Sequence, residues 1–281
     1  MLRKGDLTQG GITGTLLHFT LPMMVGSFLQ QCYNIADTLI VGQCIGAGAL
    51  AAVGSAYTLM VFLISVLLGL AMGSGTVFSL HYGAGNHVAL RRSIFSSFVL
   101  IGIVTLILNV AVFIWLDPIL RLLQVPQDIY GMMRSYLWII FCGIVFTFIY
   151  NFYASLLRAV GDSVTPLWFL AVSVVLNIAL DLFFILQLDW GIQGAAAATV
   201  LAQGVAALGI IIYTYRRRPE LRWHHEDMCF DRTCLKEIAS FSTLTCIQQS
   251  VMNLGILMIQ GLVNSLSLIH ISEPTRPISI S

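Results

Sequence analysis

Residues 166–188 read PLWFLAVSVVLNIALDLFFILQL and carry one charged side chain, Asp181. An α-helix rises about 1.5 Å per residue, so this stretch is long enough to cross the hydrocarbon core of a bilayer, which is about 30 Å thick. The apolar residues are continuous and do not alternate with a period of two, a pattern typical of a membrane helix and not of a barrel strand. We therefore predict an all-α integral membrane protein.

The composition of the whole chain supports this fold class. The protein has 281 residues, of which 58% are hydrophobic and 10% are charged, whereas about a quarter of the residues in soluble domains are charged. The mean hydropathy is +0.88, so the lipid bilayer is an expected partner. The formal net charge of +1 gives no reason to expect nucleic acid as a partner. No Ser/His/Asp or HExxH set falls at membrane depth, so we do not expect an enzyme.

Six complete apolar spans can be placed along the chain, and a seventh begins after a polar segment. The loops between the six spans are short, which is typical of antiparallel neighbours in a helix bundle. The spans are predicted near residues 15–43, 49–80, 93–116, 128–157, 165–187 and 191–215, and the seventh near 238–265.

The distribution of Lys and Arg predicts the orientation of these spans. Most of the 14 basic residues lie in the N-terminal segment and in the second, fourth and sixth loops. Because positively charged loops stay on the cytoplasmic side, we predict that the N-terminus and the even loops are cytoplasmic. The expected location is a bacterial-type inner membrane, which the chain crosses several times.

A polar segment, residues 216–237, divides the chain. The helix that follows it repeats a feature of the first span, with Gln248-Gln249 corresponding to Gln30-Gln31 before an apolar run. This similarity is weak, but it occurs where a second, parallel repeat would begin. We therefore expect an amino-terminal six-helix transmembrane lobe (1–215), a cytoplasmic linker between lobes (216–237) and the first helix of a truncated second lobe (238–265).

The last stretch, residues 266–281, breaks the apolar pattern. Its sequence, LSLIHISEPTRPISIS, resembles the translation of a sequencing-library adaptor. We expect the natural protein in this sequence to end at about Ser265; the alternative is a short polar C-terminus that belongs to the gene. Amplifying the locus again from source DNA decides between the two.

Two carboxylates at membrane depth are the main candidates for function. Asp37 follows Tyr33 by four residues and Asp181 follows Asn177 by four, so each pair shares one face of a helix. Thr199 in the sixth span adds a hydroxyl. Ionisable groups inside a membrane are costly and usually belong to an ion site, a proton relay or a substrate contact. The alternative is that they only join neighbouring helices as packing contacts.

Other polar features have structural interpretations. Pro22 removes a backbone hydrogen bond in the first span and allows a bend there. In the fourth loop we expect Arg158 to pair with Asp162 and Gly161 to cap a helix; the glycine spacing of a phosphate-binding loop is absent. No metal site is expected, because the spacing of the His and Cys residues in and beside the linker fits no standard zinc site (His224, His225, Cys229, Cys234).

The polar motifs together resemble those of the multidrug and toxic compound extrusion (MATE) transporters. The similarity covers about residues 1–265 and the amino-terminal half of that family. It rests on Pro22, Gln30-Gln31-x-Tyr33-x-x-x-Asp37-Thr38-x-x-Val41-Gly42, Leu156-x-Arg158-Ala159-x-Gly161-Asp162-x-x-x-Pro166, Asn177-x-x-x-Asp181 and Gly191-x-x-Gly194-Ala195-Ala196-x-Ala198-Thr199.

The resemblance implies twelve helices in two six-helix lobes that export organic cations and other amphiphiles in exchange for H⁺ or Na⁺. It implies that Asp37, Asn177, Asp181 and Thr199 form the cation site of the first lobe, with Tyr33 beside it and Pro22 at a bend. The absence of a second lobe is a departure from the family, because half of the substrate cavity would be missing.

We therefore expect a cation-coupled antiporter that exports small amphiphilic compounds by alternating access, with no cofactor besides the coupling ion. A buried carboxylic acid favours its protonated form, while two carboxylates with an amide and hydroxyls also suit Na⁺, so both ions remain open. One alternative is a lipid or polysaccharide flippase of the same superfamily, which would be expected to line its cavity with arginines. The other is a seven-helix receptor.

Overall fold

The computed structural model describes residues 12–123, 125–223 and 232–272. Helices are the only regular secondary structure in these ranges, which confirms the predicted all-α fold. The eight α-helices are α1 (Ile12–Cys44), α2 (Ala47–Gly83), α3 (His87–Leu122), α4 (Gln127–Cys142), α5 (Ile144–Ala159), α6 (Val164–Leu182), α7 (Gly191–Arg217) and α8 (Arg232–Ser272). A π-helical turn, Phe183–Gln187, extends α6, and a 3₁₀ turn, Pro219–Leu221, follows α7.

Several of these helices have the length and apolar character of membrane spans. Among the described residues, α2, α3, α6 with its π-helical turn, and α7 each meet that standard. α4 and α5 meet it as a pair bent by 47°, so the predicted fourth span is a broken helix. The break falls at Gly143, where a Cβ atom would lie 2.5 Å from Cγ2 of Val200 in α7. The glycine therefore lets α7 approach the α4–α5 junction closely.

The helices pack around a central cavity. α6 packs against α1 and α7, α2 packs against α3, α4 and α5, and α8 lies against α2 and α3. Buried apolar side chains form two main clusters, one that includes Leu137 and one that includes Phe152. Large apolar side chains such as Ile114 and Val175 are exposed on the outside of the bundle, as expected where lipid covers the surface.

The contact between α2 and α8 is unusually close. A Cβ atom at Gly69 of α2 would lie 2.6 Å from the Cα of Cys246 in α8, and one at Gly73 would overlap the backbone of Ser242. The Cys246 thiol also donates to the carbonyl of Val66 at 3.3 Å. Small residues let membrane helices approach closely, so this contact, which we call the α2–α8 seam, fixes the position of α8 along α2.

The fourth loop closes helix α5 with a Schellman motif. Gly161 has φ +87°, and its N–H donates to the carbonyl of Arg158 at 3.0 Å while that of Asp162 donates to the carbonyl of Leu157 at 2.9 Å. A residue with a side chain is strained at this φ, so the position favours glycine. The predicted capping role of Gly161 has this geometric basis.

The expected pairing of Arg158 with Asp162 was wrong. The Asp162 carboxylate instead pairs with Arg218 at 3.3 Å, and it accepts hydrogen bonds from the backbone N–H and hydroxyl of Thr165 at 3.0 and 2.9 Å. The Schellman turn directs Asp162 toward the start of α6, where α7 ends beside it. The pairing therefore joins the fourth loop to the end of α7, which sequence spacing could not reveal.

The beginning of the predicted linker is docked on the bundle. Leu221 is buried, and the ring centroid of Trp223 lies 5.6 Å from that of Phe98 and 6.3 Å from that of Tyr215. Residues 218–223 therefore pack against the helices of the predicted first lobe.

Some predictions fall on residues outside the described ranges. These are the N-terminal segment (1–11), which is predicted to be cytoplasmic, His224, His225 and Cys229 of the linker, and the adaptor-like residues 273–281. α8 is described as far as Ser272, which lies beyond the predicted end of the seventh span at 265.

Replacing Gly161 with alanine is expected to lower the free energy of unfolding by roughly 1 to 2 kcal/mol, because an L-residue is strained in the left-handed region. The matched control is Gly83→Ala, since a Cβ atom at Gly83 meets nothing within 4 Å and its φ lies outside that region. Thermal unfolding of the purified variants checks this. Equal melting temperatures for the two variants would contradict the role given to Gly161.

Candidate functional site

A cavity of about 870 Å³ lies between α1, α2 and α4 to α8. Most of its wall is apolar, and the polar side chains are mainly amides and hydroxyls. Among the described lining residues, Asp37 is the only one with a formal charge, and there is no Arg, Lys or His. The polar lining includes Gln30, Tyr33, Asn34, Asp37, Tyr57, Tyr136, Asn151, Thr199, Gln203, Gln249 and Asn253. The described lining thus combines a mostly apolar surface with one acidic side chain, that of Asp37.

Asp37 is half of a buried pair of carboxyl groups. Asp37 is 9% exposed and Asp181 is fully buried, and the two side chains lie within hydrogen-bonding reach of each other. In each, Oδ1 has no hydrogen-bond partner among the described residues. Two adjacent buried carboxylates repel each other unless a proton or another cation lies between them. This arrangement, which we call the acid pair, therefore suits one monovalent cation.

Hydroxyl and amide groups from three helices, α1, α6 and α7, lie around the acid pair. The Tyr33 hydroxyl of α1 lies 3.3 Å from the Thr199 hydroxyl of α7. In the amide orientation that satisfies its neighbours, Asn177 donates to Oδ2 of Asp181 at 3.0 Å and accepts from the Thr199 hydroxyl at 3.2 Å. The structure thus brings together all five residues that the sequence predicted for the site. Their role in binding a cation stays a prediction.

Local sequence explains how these residues meet. Small residues at the start of α7 let it approach α6: a Cβ atom at Gly194 would lie only 3.0 Å from the Cβ of Phe184. This contact places Thr199 beside the α6 face that carries Asn177 and Asp181. The π-helical turn of α6 begins two residues after Asp181. Such turns are frequent at functional sites, but no sequence pattern predicted this one.

Tyr136 lies beside the acid pair but was not predicted from the sequence. It is buried in α4 and lines the cavity, close enough to Asp37, Tyr33 and Asp181 to interact with them electrostatically. Its hydroxyl is the polar tip of an otherwise apolar run, YLWII. A tyrosine inside a predicted span was the available signal. Because aromatic residues are also common at membrane interfaces, this tyrosine did not indicate a functional site.

Pro22 lies inside α1, which is helical on both sides of it. Because proline has no N–H, it cannot donate the usual hydrogen bond to the carbonyl four residues earlier, and this favours a bend. The bend at Pro22 stays a prediction. Within the part of the chain that the structure describes, no group of three or more His, Cys, Asp or Glu side chains is placed to hold a metal ion.

The chain matches one family model and several known proteins. The MatE family model matches residues 22–183. A probable multidrug resistance protein of Bacillus subtilis, YpnP, is 36% identical over 217 residues, which are 77% of this chain and 49% of YpnP. The multidrug export protein MepA of Staphylococcus saprophyticus is 31% identical over 210 residues, or 72% of this chain and 45% of MepA.

A solved structure gives the same fold. The outward-facing conformation of a multidrug resistance MATE family transporter of the MOP superfamily superposes with a TM-score of 0.82 at 24% identity. The superposition covers 88% of this chain and 55% of the other. The chain therefore spans about half the length of the relatives that it matches.

Proposed function

The chain belongs to the MatE family of membrane transporters, and from that premise we propose that it is one lobe of a cation-coupled exporter of amphiphilic drugs and organic cations. The observation that carries the proposal is the acid pair at the wall of the cavity. A mostly apolar cavity with one acidic point suits a molecule that has an apolar body and a positive charge.

The acid pair supplies a mechanism for exchange. Asp37 faces the cavity and also contacts Asp181, so a cation held between the two carboxyl groups competes with an organic cation for the same negative charge. Binding of one then weakens binding of the other, and each favours the conformation in which it binds better. Alternation between inward-facing and outward-facing forms converts this competition into antiport. The exchanged ion is H⁺ or Na⁺.

Complete transport needs a second lobe in this proposal. The relatives are about twice as long as the part that this chain matches, and alternating access in such transporters comes from movement of one repeat against the other. We expect residues 1–215 to act as the first lobe, 216–237 as the linker and 238–265 as the first helix of the second lobe. The 281-residue chain alone is expected to give no efflux.

The orientation and the substrate follow from charge. The basic loops support an N-terminus in the cytoplasm of a bacterial-type inner membrane, so we expect export to run from the side that carries residues 158–162. The absence of basic side chains among the described lining residues favours a cationic substrate over the anionic substrate of a flippase. Membership of a transporter family argues against the seven-helix receptor.

Efflux from a host that lacks its own exporters tests the function, with the full-length gene recovered from source DNA. Cells loaded with ethidium are expected to extrude it when an H⁺ or a Na⁺ gradient is imposed, and to stop when that gradient is collapsed. The two gradients are imposed separately, which identifies the ion. Retention of ethidium under both gradients would contradict the proposed function.

Replacing Thr199 with valine is expected to weaken binding of the coupling ion by about three- to tenfold, because the hydroxyl that contacts Tyr33 and Asn177 is lost. Thr199→Ser keeps the hydroxyl and is the control. Displacement of ethidium by H⁺ or Na⁺ on the purified protein measures the affinity. Identical displacement curves for the valine and serine variants would remove Thr199 from the site.

A further inference from the structure

We propose that Gln203 and Gln249 make the cavity select its substrates by hydrogen bonding. Among organic cations of the same charge, they favour those that carry hydrogen-bond donors or acceptors over purely lipophilic ones. The proposal rests on the proposed function and names a class of substrate within it.

The two glutamine side chains are at least half-buried. Gln249 is 8% exposed and Gln203 is half-buried, and both line the cavity. Neither makes a hydrogen bond to another residue that the structure describes. An amide that has no hydrogen-bond partner in a mostly apolar cavity costs free energy, so each amide would be stabilised by a molecule in the cavity that returns hydrogen bonds to it.

Two other amides of the cavity, those of Asn34 and Asn151, differ in this respect. The Asn34 amide donates to the side-chain carbonyl of Gln31 at 3.0 Å, and the Asn151 amide donates to the backbone carbonyl of Thr147 at 2.8 Å. These donors are already used within the protein. Gln203 and Gln249, like Gln30 and Asn253, make no such bond to a described residue, so their donors and acceptors are free to serve a bound molecule. Among these four amides, Gln249 is the most buried.

Their places in the fold connect them to the acid pair and to the second lobe. Gln203 lies one helical turn after Thr199 on α7, so a molecule beside the acid pair is within reach of it. Gln249 is on α8, less than one turn beyond Cys246, where the α2–α8 seam fixes the helix. The first helix of the predicted second lobe thus contributes a polar contact to the cavity of the first.

The selectivity follows from the cost of leaving these amides unsatisfied. A substrate with its own polar groups replaces the hydrogen bonds of the water that it displaces from Gln203 and Gln249. A lipophilic cation displaces the same water and returns no hydrogen bond, so it binds less well than its charge and apolar surface alone predict.

The test compares two probes on the purified 281-residue chain. Ethidium carries two amino groups, whereas tetraphenylphosphonium has the same charge and no hydrogen-bonding group. The variants are Gln203→Met, Gln249→Met and their combination, because methionine keeps the size of glutamine and removes the amide. The control is Gln248→Met, since Gln248 is exposed and does not line the cavity. Thermal unfolding checks that each variant is folded.

The double variant is expected to bind ethidium at least tenfold more weakly, which corresponds to about 1.4 kcal/mol, and to bind tetraphenylphosphonium as tightly as the wild type or more tightly. Gln248→Met is expected to change neither affinity. Equal weakening for both probes, or no weakening for ethidium, would overturn the proposal. Asp37→Asn serves as a separate arm: unchanged affinity for both probes in that variant would count against the proposed function and not against the selectivity.

Discussion

Asp37→Asn and Asp181→Asn are each expected to lower ethidium efflux by at least about tenfold, because either substitution removes a carboxyl group through which ion and substrate are coupled. Asparagine has nearly the shape of aspartate, so the fold is expected to survive. Asp181 is fully buried and Oδ1 of both residues lacks a hydrogen-bond partner among the described residues. Burying two carboxyl groups in this way costs free energy, so the pair is expected to be functional. Efflux by the full-length protein under an imposed gradient is the measurement.

The matched control is Asp117→Asn. Asp117 is a partly exposed carboxylate that pairs with Arg134 at 2.8 Å and does not line the cavity. It is expected to leave efflux unchanged, because it removes a charge of the same kind away from the site. Full efflux in both acid-pair variants would show that the pair only packs the helices together, which is the alternative that the sequence left open.

Alanine at Gly69 is expected to lower the free energy of unfolding by about 1 to 3 kcal/mol, because the added methyl group overpacks the α2–α8 seam. It would lie 2.6 Å from the Cα of Cys246, and a backbone atom cannot move aside as the end of a side chain can. The expected result is separation of α8 from α2, with a lower melting temperature of the purified chain.

Gly54→Ala is the control for this prediction. It lies in the same helix, and a Cβ atom there meets nothing within 4 Å. Its melting temperature is expected to equal or exceed that of the wild type, since alanine favours a helix more than glycine does. If both variants melt alike, the seam does not hold α8 in place.

The sequence predicted much of this structure because a bilayer restricts the possible folds. Without water in the hydrocarbon core, a segment such as 166–188 must be helical to satisfy its backbone. The same restriction made Asp37 and Asp181 conspicuous, and spacing by four residues placed Tyr33 and Asn177 on the same faces. Four of the five residues predicted for the site therefore followed from local periodicity and the cost of burying polar groups. Thr199 was added as a hydroxyl in the sixth span and by the resemblance to the MATE family.

Features that depend on contacts between distant segments could not be predicted in this way. The partner of Asp162 is Arg218, 56 residues away, and not Arg158 beside it. Tyr136 joins the site only because the chain breaks at Gly143 and α4 packs against α7. The repeated Gln-Gln pair was noticed in the sequence, but only the α2–α8 seam directs Gln249 into the cavity.

The decisive measurement counts the cations that leave the acid pair when an organic cation binds. Ethidium is added to the purified, weakly buffered protein, with a pH indicator to count H⁺ and radioactive ²²Na⁺ to count Na⁺. We predict release of about one cation, either H⁺ or Na⁺, per protein molecule that binds ethidium. The variant with both Asp37→Asn and Asp181→Asn should release none. Ethidium binding by the wild type with release of neither ion would contradict the proposal that Asp37 and Asp181 hold the exchanged cation.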